Sequence, residues 1–316
     1  MRIFELDAQL HKTPGYRTGG VIAIGNFDGV HLGHRAVIGQ AVKLAEIIGT
    51  FAGVMTFEPY PAEFFRPDKA PPRLSSRRHK FELLSETGAE QILCMRFGQR
   101  LCSTSAEDFV ADYLVDRLQV RHVLVGEDFR FGARRAGNVE LLKTLGPSCN
   151  FGVTAISDFL IDGARVSSSA IRQLLADGDL AKAEQLLGRP FAWRGRVVHG
   201  DKRGRQWGFP TANLVIQRDS FAVAGVFVVG LESDDGMHGF GVANVGRRPT
   251  VDGLRLLIET NLFDFSGDLY GKMVTVTFLH RIREEKRFPD FDALKAQIGR
   301  DVEYGRRWLE ESKSHA

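Results

Sequence analysis

The chain has 316 residues, of which 43% are hydrophobic and 26% are charged, and its formal net charge is +3. This length accommodates two domains with cores of their own, and the mild charge excludes a protein that depends on a long basic surface to bind nucleic acid. No apolar run approaches the roughly 18 residues of a membrane helix, and the N-terminus lacks the apolar core of a signal peptide. The three cysteines are scattered, which is typical of a reducing compartment and does not fit a structural zinc site. We therefore predict a cytoplasmic protein without a nucleic-acid or membrane partner.

The first part of the chain alternates strand-like and helix-like segments. Its buried-strand patterns cover residues 21–24, 50–57, 91–97, 120–125 and 150–156. Its helical patterns cover residues 34–48, 77–86, 105–118, 138–146 and 169–176. Strands that alternate with helices predict βαβ units and a parallel sheet, as in a Rossmann-like α/β domain. A proline-rich segment over residues 58–72, which we interpret as a loop, interrupts the alternation.

The pattern changes near Gly188, where short strands separated by glycines begin. They cover residues 191–198, 211–216, 225–231, 239–245, 254–262 and 272–278, and a helical pattern follows over residues 290–310. Several short strands with glycine turns predict a closed or nearly closed antiparallel β-barrel. We place the domain boundary at this change, with an α/β domain over residues 1–186 and a β-barrel domain with a terminal helix over residues 187–316.

Basic residues form small local groups rather than one stripe. They lie within residues 77–80, 130–135, 202–205 and 247–248. Taken alone, each group indicates a solvated face. Several lie beside glycines, which suits small anionic ligands better than a nucleic-acid backbone.

The first candidate site follows the strand over residues 21–24. Gly25 and Gly29 allow a tight turn and the close approach of a ligand to the backbone. His31 and His34 then lie where the strand gives way to a helix, and the backbone N–H groups and dipole of a helix N-terminus favour a phosphate. The alternative is a glycine turn with two solvated histidines.

A serine run before a helical pattern is the second phosphate signal. Ser167, Ser168 and Ser169 offer hydroxyls and backbone N–H groups. Arg172 adds a permanently charged fork for phosphate oxygens. A serine run alone is more often only a helix cap, but together with the histidine pair it favours a phosphate site.

The second half of the chain carries a glycine-rich, cationic loop that leads into a strand. The candidate ligand-binding residues of this loop are Gly200, Lys202, Gly204, Gly208, Phe209 and Pro210. The loop is not a Walker A motif, because no Gly-Lys-Ser/Thr follows. By themselves, Thr211 and Asn213 indicate a turn that feeds a strand, and Glu259 indicates a strand carboxylate that faces water.

The first half resembles a known family. Residues 25–34 are similar to the nucleotide-binding signature, with its His-x-Gly-His core, of the nucleotidyltransferases, and in detail to that of the bacterial bifunctional riboflavin kinase/FAD synthetases. Residues 57–61, 125–137 and 166–172 resemble further segments of the same family. The resemblance implies that the chain binds nucleotide, phosphate or flavin through Gly25, Asn26, Phe27, Asp28, Gly29, Phe57, Asp128, Ser167, Ser168 and Ser169. It further implies that His31, His34 and Arg172 are catalytic and offset charge on the transferred and leaving groups, without a covalent intermediate.

The second half resembles the riboflavin kinase module of that family. Residues 208–214, 225–227, 244–250 and 259–265 are similar to its segments, in the same order. The resemblance implies that Thr211 and Asn213 bind MgATP, that Arg248 contacts substrate, and that Glu259 is the base for the ribityl 5′-hydroxyl. Asn261 stands where the family usually has histidine. Neither its consequence nor that of Tyr60, in the variable position of the Phe-Glu-Pro-x-Pro segment, follows from the sequence.

Taken together, the resemblance implies a two-domain enzyme that phosphorylates riboflavin to FMN and then adenylylates FMN to FAD. Its ligands are ATP, riboflavin, FMN and FAD, with Mg²⁺ bound together with ATP, and the sequence does not indicate an oligomeric state. Two alternatives stay open: a nucleotidyltransferase for another acceptor, such as pantetheine phosphate or nicotinate mononucleotide, and a flavin-binding protein without catalysis. Asp264 is the rival to Glu259 as base, and on a regular strand the two would face opposite sides.

Overall fold

A computed structural model of the chain describes residues 2–5, 13–198, 211–217, 220–250 and 253–314, and the side chains of residues 249, 250, 253, 254 and 313 lie outside the description. The chain divides into two compact units. The first comprises Met1–Pro71 and Arg77–Ser168, and the second comprises Pro72–Ser76 and Ser169–Ala316. This division and the boundary predicted from the sequence differ in the segments 72–76 and 169–186.

The first unit is built on a six-stranded parallel sheet. The strands of this unit, in chain order, are β1 (Arg2–Glu5), β2 (Val21–Ile24), β3 (Ala52–Glu58), β4 (Gln91–Arg96), β5 (His122–Gly126), β6 (Arg130–Phe131), β7 (Gly137–Asn138), β8 (Gly152–Ile156), β9 (Leu160–Ile161) and β10 (Ala164–Arg165). The order in the sheet is β1-β4-β3-β2-β5-β8, while β6 with β7 and β9 with β10 form two small antiparallel ribbons. The chain therefore reverses its direction across the sheet between β2 and β5, and the crevice outside the carboxyl ends of such strands is the usual ligand site of parallel sheets.

Helices cover both faces of this sheet. The helices of the unit are α1 (Leu32–Ile47), α2 (Pro61–Phe65), α3 (Arg77–Ser85), α4 (Gln99–Ser103), α5 (Ala106–Asp108), which continues as a π-helical stretch (Phe109–Arg117), and α6 (Val139–Ser148). Ile22 and Ile24 belong to one core cluster, whereas Val21 and Ala23 belong to another. Because alternate side chains of a strand face opposite sides, β2 is buried on both faces, as its continuous apolar run predicts.

The second unit is a closed antiparallel β-barrel with helices. Its strands are β11 (Ala192–Val198), β12 (Thr211–Ile216), β13 (Gly225–Ser233), β14 (His238–Thr250), β15 (Gly253–Leu262) and β16 (Met273–Arg283). Its helices are α7 (Ser168–Asp177), of which Ser168 belongs to the first unit, α8 (Leu180–Leu187) and α9 (Phe291–Lys313). The barrel closes in the order β11-β12-β15-β14-β13-β16. Apolar side chains of α7 and α8, such as Ile171, Leu175 and Leu187, belong to the same core cluster as the barrel strands.

The structure confirms the predicted fold class of a parallel α/β sheet followed by an antiparallel barrel with a terminal helix. The strands β2 and β12 have the predicted bounds. The interpretation of residues 58–72 as a loop was wrong in part: α2 and a 3₁₀ turn (Pro67–Lys69) lie there, because Pro61 occupies the first helical position, where its fixed φ is favourable. The short elements β1 and α8 were not predicted. Among the described helices, none is both long enough and apolar enough to cross a membrane.

One of the small basic groups is not a solvated face. In α3, Arg77 and Arg78 are exposed, as predicted, but His79 is buried and Lys80 is fully buried. The prediction was wrong for these two residues because the helix turns them toward the sheet, beside Phe81 and Leu84 in its core-facing stripe.

Candidate active sites

The turn after β2 has an uncommon backbone conformation. The φ angles of Phe27, Gly29 and Val30 are 51°, 76° and 42°. A positive φ is rare for a β-branched residue such as Val30, and such strain concentrates at functional sites. A Cβ atom on Gly25 would lie 3.1 Å from the ring of Phe27. The turn is therefore compact, and the Phe27 side chain is buried within it.

His31 and His34 lie together at the N-terminus of α1. The Nδ1 atom of His31 accepts a hydrogen bond from the backbone N–H of His34 at 3.3 Å. The two rings stack with their centroids 3.5 Å apart, and the ring of Phe27 meets His34 edge-on at 5.2 Å. Because Nδ1 of His31 is an acceptor, the hydrogen bond assigns the proton of the neutral ring to Nε2. An Nε2–H donor at a helix N-terminus suits a phosphate oxygen.

The structure brings the serine run to this turn. Ser168 begins α7, and its hydroxyl donates to the backbone oxygen of Asp28 at 3.3 Å. Ser167 is half-buried and Ser169 is exposed. One turn further on, Nε of Arg172 donates to the backbone oxygen of Pro72 at 2.6 Å. This bond fixes Arg172 through Nε. It does not test the predicted contact of the guanidinium with a phosphate, which stays a prediction.

The other predicted residues of the first site lie on both sides of the turn. Asn26 is exposed, and its backbone oxygen accepts a hydrogen bond from the Thr56 hydroxyl at 3.0 Å. Phe57 is buried near the carboxyl end of β3. Asp128 is exposed and forms an ion pair with Arg165 at 2.6 Å. Asn26 and Phe57 therefore lie at the carboxyl edge of neighbouring strands, and Asp128 follows β5 at the same edge.

The second candidate site is a row of polar residues across three barrel strands. Glu259 on β15 lies opposite Asn213 on β12 and opposite Asn244 on β14. Two residues along, Asn261 lies opposite Thr211. Side chains two apart on a strand share a face, and directly opposed Cβ atoms are about 5 Å apart. The alternate residues of these strands fill the barrel core, so the polar row faces outward.

The Glu259 carboxylate is held by one cation and one amide. Its Oε2 atom accepts from Nε of Arg248 at 2.7 Å and from Nδ2 of Asn244 at 3.4 Å. The Glu259 side chain is 26% exposed and that of Arg248 is 45% exposed. Because solvent screens such a pair, it adds little to folding stability and can be exchanged for other partners.

Asp264, the rival carboxylate, contacts the terminal helix. The strand β15 ends at Leu262, and Arg306 of α9 donates two hydrogen bonds to the Asp264 carboxylate, at 2.7 and 2.8 Å. These bonds lower the pKa of Asp264. The sequence argument assumed a regular strand as far as Asp264. The strand ends earlier, at Leu262. Asp264 lies beyond the strand and pairs with Arg306 rather than with a residue of the polar row.

Two family models match the two halves of the chain: FAD synthetase matches residues 14–170, and riboflavin kinase matches residues 187–309. A bifunctional riboflavin kinase/FMN adenylyltransferase of Escherichia coli strain K12 is 47% identical over 283 residues, covering 90% of each chain. One of Pseudomonas fluorescens is 45% identical over 294 residues, covering 93% of this chain and 94% of the relative.

The chain belongs to the family of bifunctional riboflavin kinases/FMN adenylyltransferases. Membership in this family confirms the predicted enzyme with two activities in flavin cofactor biosynthesis. A nucleotidyltransferase for another acceptor does not account for the match of the second half to riboflavin kinase.

A solved structure, described as a macrolide-efflux protein from Streptococcus pneumoniae, has a similar fold. The TM-score is 0.80 and the sequence identity is 32%, over 97% of this chain and 99% of that chain. The combination of a parallel α/β sheet and a barrel is therefore shared over nearly the full length of both proteins.

Not every residue predicted for the riboflavin kinase site can be placed. The predicted residues Gly200, Lys202, Gly204, Gly208, Phe209 and Pro210 lie outside the described residues. Conversely, the sequence analysis did not select Asn244 as a site residue. Its alignment with Glu259 depends on the register of β14 and β15, and no pattern within one strand reveals that register.

Proposed function

We propose that the chain catalyses both reactions of its family at these two sites. It transfers the γ-phosphoryl group of ATP to the 5′-hydroxyl of riboflavin, giving FMN, and the adenylyl group of a second ATP to FMN, giving FAD and pyrophosphate. The observation that carries the proposal is the row of Asn213, Glu259 and Asn244, which places a carboxylate between two amides on one face of the barrel. The domain boundary at 186/187 and a cytoplasmic location, both predicted from the sequence, are part of the proposal.

In the kinase reaction, Glu259 acts as general base. The riboflavin 5′-oxygen attacks the γ-phosphorus, the bond to the bridging oxygen breaks, and ADP leaves while the hydroxyl proton moves to Glu259. Arg248 pairs with this carboxylate. The ATP phosphates offer the guanidinium a more highly charged partner, so ATP binding frees the carboxylate to accept the proton. Asn244 keeps it oriented.

The polar row also fits the Mg²⁺ ion that accompanies ATP. Thr211 and Asn213 lie on the same face of β12 and offer a hydroxyl and an amide oxygen, which are the hard ligands that Mg²⁺ prefers. When bound, the ion offsets phosphate charge and orients the γ-phosphoryl group. The remaining residues of the loop are proposed to bind the nucleotide or the other substrate: Gly200, Lys202, Gly204, Gly208, Phe209 and Pro210.

In the adenylyl transfer, a phosphate oxygen of FMN attacks the α-phosphorus of ATP and pyrophosphate leaves. His31 donates Nε2–H to the phosphates from the N-terminus of α1. His34 stacks on the His31 ring, with the two ring centroids 3.5 Å apart, and so limits how that ring can turn. The serines Ser167, Ser168 and Ser169 together with Arg172 add further donors, and the segments around Phe57 and Asp128 hold the flavin.

The kinase assignment is tested by comparing two matched carboxylate variants. Glu259→Gln keeps the size of the side chain but removes the base, so riboflavin phosphorylation should fall roughly 10²- to 10⁴-fold with little change in the KM of either substrate. Asp264→Asn makes the same chemical change at the carboxylate paired with Arg306, and its rate should stay near that of the wild type. A normal rate for Glu259→Gln would refute the base assignment, and a collapse in Asp264→Asn would transfer it.

The adenylyl assignment is tested in the same preparations with FMN supplied. His31→Ala and His34→Ala should each lower FAD formation by about 10²-fold or more, the scale for loss of one charge-stabilising donor. Their riboflavin phosphorylation should remain normal, which shows that the protein is folded. If both variants form FAD at the wild-type rate, the histidines are turn residues only.

A further inference from the structure

A fully buried lysine lies in the core of the first unit and has no part in the proposed mechanism of either reaction. Lys80 in α3 has no exposed side-chain surface, and its ammonium group lies 2.5 Å from the carboxylate of Glu58, which is 10% exposed. A buried ammonium is costly unless it is paired and hydrogen-bonded. A buried ion pair is nevertheless weak evidence for stability, because an apolar pair of similar size is often at least as stable. The pair therefore calls for an explanation beyond folding.

The end of β3 and the residues after it surround the ammonium group. Nζ of Lys80 donates to the Thr56 hydroxyl at 3.3 Å and to the backbone oxygen of Phe57 at 3.4 Å. It also lies 4.5 Å from the ring centroid of Tyr60, within the range of a cation–π contact. One point charge thus fixes the segment from Thr56 to Tyr60, which contains Phe57 and Glu58.

Two of the residues that touch the ammonium also hold the turn after β2. The Thr56 hydroxyl, which accepts from Lys80, donates to the backbone oxygen of Asn26 at 3.0 Å. The Tyr60 hydroxyl donates to the buried carboxylate of Asp28 at 3.2 Å. Lys80 therefore contacts one residue that bonds to Asn26, which is Thr56, and another that bonds to Asp28, which is Tyr60. Both ends of the Asn26–Asp28 turn are linked to the ammonium group in this way.

We propose that Lys80 is a positioning residue for adenylyl transfer. Its buried ammonium group aligns the segment 56–60 with the Asn26–Asp28 turn and so sets the distance between the two substrates. The inference rests on the proposed function, in which the first segment holds FMN and the turn holds ATP. A displacement of about 1 Å between reacting groups can lower a rate by about 10²-fold, so a group that fixes two binding segments controls kcat without touching either substrate.

The test uses the full chain and separates positioning from folding. Lys80→Met keeps the aliphatic stem and removes the charge, but it leaves Glu58 buried without its partner, which is destabilising. The double variant Lys80→Met/Glu58→Gln removes both charges, and we expect it to regain most of the lost thermal stability. Lys80→Arg keeps the charge but replaces the compact ammonium with a wider planar fork. Lys143→Met is the matched control, because Lys143 is an exposed lysine of the same unit, paired with Glu140.

The expected result is a defect in kcat that stability does not explain. In the double variant, the kcat for FAD formation from FMN should be at least about 10-fold below wild type, with a smaller change in the KM for ATP and a normal rate of riboflavin phosphorylation. Lys80→Arg should show a lowered kcat of the same kind, and Lys143→Met should match the wild type in every measurement. These results would identify Lys80 as a positioning residue.

Other results overturn the inference. A double variant that regains both the melting temperature and the wild-type kcat would show that the pair is only structural. If the double variant does not fold, a wild-type kcat in Lys80→Arg has the same meaning. The proposed function fails separately: a wild-type chain that forms no FAD from FMN and ATP contradicts that proposal, whereas a collapse in His31→Ala beside normal Lys80 variants contradicts only the role of Lys80.

Discussion

The helices α7 and α8 should be part of the smallest stable kinase fragment. The second compact unit comprises Pro72–Ser76 and Ser169–Ala316, although the strands and motifs of the barrel begin only after Leu187. Compared with a fragment of residues 169–316, a fragment of residues 187–316 lacks three further large side chains that are buried in the barrel's core cluster: Ile171, Leu175 and Leu180. We therefore expect it to be less stable than a fragment of residues 169–316.

The size of this effect follows from the burial. These three side chains are 0%, 1% and 8% exposed. At about 1.5–3 kcal/mol for each large apolar side chain, they contribute about 5–9 kcal/mol of transfer free energy as an upper bound. The conformational entropy of ordering two helices opposes this gain. We expect a net loss of about 2 kcal/mol, the lower end of what truncating one large buried side chain costs, and this is a large share of a typical domain stability of about 5–15 kcal/mol.

The measurement is urea unfolding of both fragments, followed by tryptophan fluorescence. The three tryptophans of the chain are Trp193, Trp207 and Trp308, so both fragments carry the same probes. With a slope of about 2 kcal/mol per M, the midpoint of the shorter fragment should be lower by about 1 M. Both fragments keep the riboflavin kinase motifs, and their activity can be compared at low temperature. Equal midpoints would refute the reasoning and favour a domain that begins at residue 187.

Three further predictions concern the barrel. Thr260 is fully buried, and its hydroxyl has no hydrogen-bond partner among the described residues. Thr260→Val should therefore raise the free energy of unfolding by about 1–3 kcal/mol without changing the kinase rate. A variant that is less stable in urea would show that the hydroxyl has a partner. Asp301→Ala should cost about 3 kcal/mol in the same assay, because it removes the buried carboxylate that pairs with the half-buried Arg283. A loss below about 1 kcal/mol would contradict this. Burial lowers the pKa of His280, which stacks on Trp308. Its contribution to stability is therefore present above about pH 6.5 and is lost as the pH falls through the pKa of the folded state. His280→Phe should flatten this decline of the urea midpoint at acid pH, and an unchanged pH profile would refute the role of His280.

Local patterns were sufficient to predict the strand and helix framework. The apolar run of β2 ends at a glycine and β12 begins after a proline, so each strand has a boundary signal in the sequence itself. The helix α8 was missed because it is short and follows α7 closely, with only Gly178 and Asp179 between them. A short amphipathic segment next to another helix has no distinct period of its own.

The candidate sites were predictable in residue type but not in arrangement. The row of Asn213, Glu259 and Asn244 requires the register of three strands, which is set by packing between residues far apart in the chain. The burial of Lys80 could not be predicted either, because its partner Glu58 lies on another element. A lysine at the end of a basic run is normally solvated, and only the tertiary structure supplies the carboxylate that makes burial tolerable.

The difference between the two sites follows from the charge of their acceptors. A ribityl hydroxyl loses a proton as it attacks phosphorus, so the kinase site requires a carboxylate such as Glu259. A phosphate monoester has a second pKa of about 6 and is largely ionised at neutral pH, so the adenylyl site requires hydrogen-bond donors and positive charge rather than a base. A carboxylate facing that acceptor without a partner would repel it. The carboxylates beside the turn are in fact engaged: Asp28 accepts from Tyr60, and Glu58 pairs with Lys80. Adenylyl transfer therefore depends on holding the acids near an anionic nucleophile in contacts of their own, as riboflavin phosphorylation depends on an acid–base group.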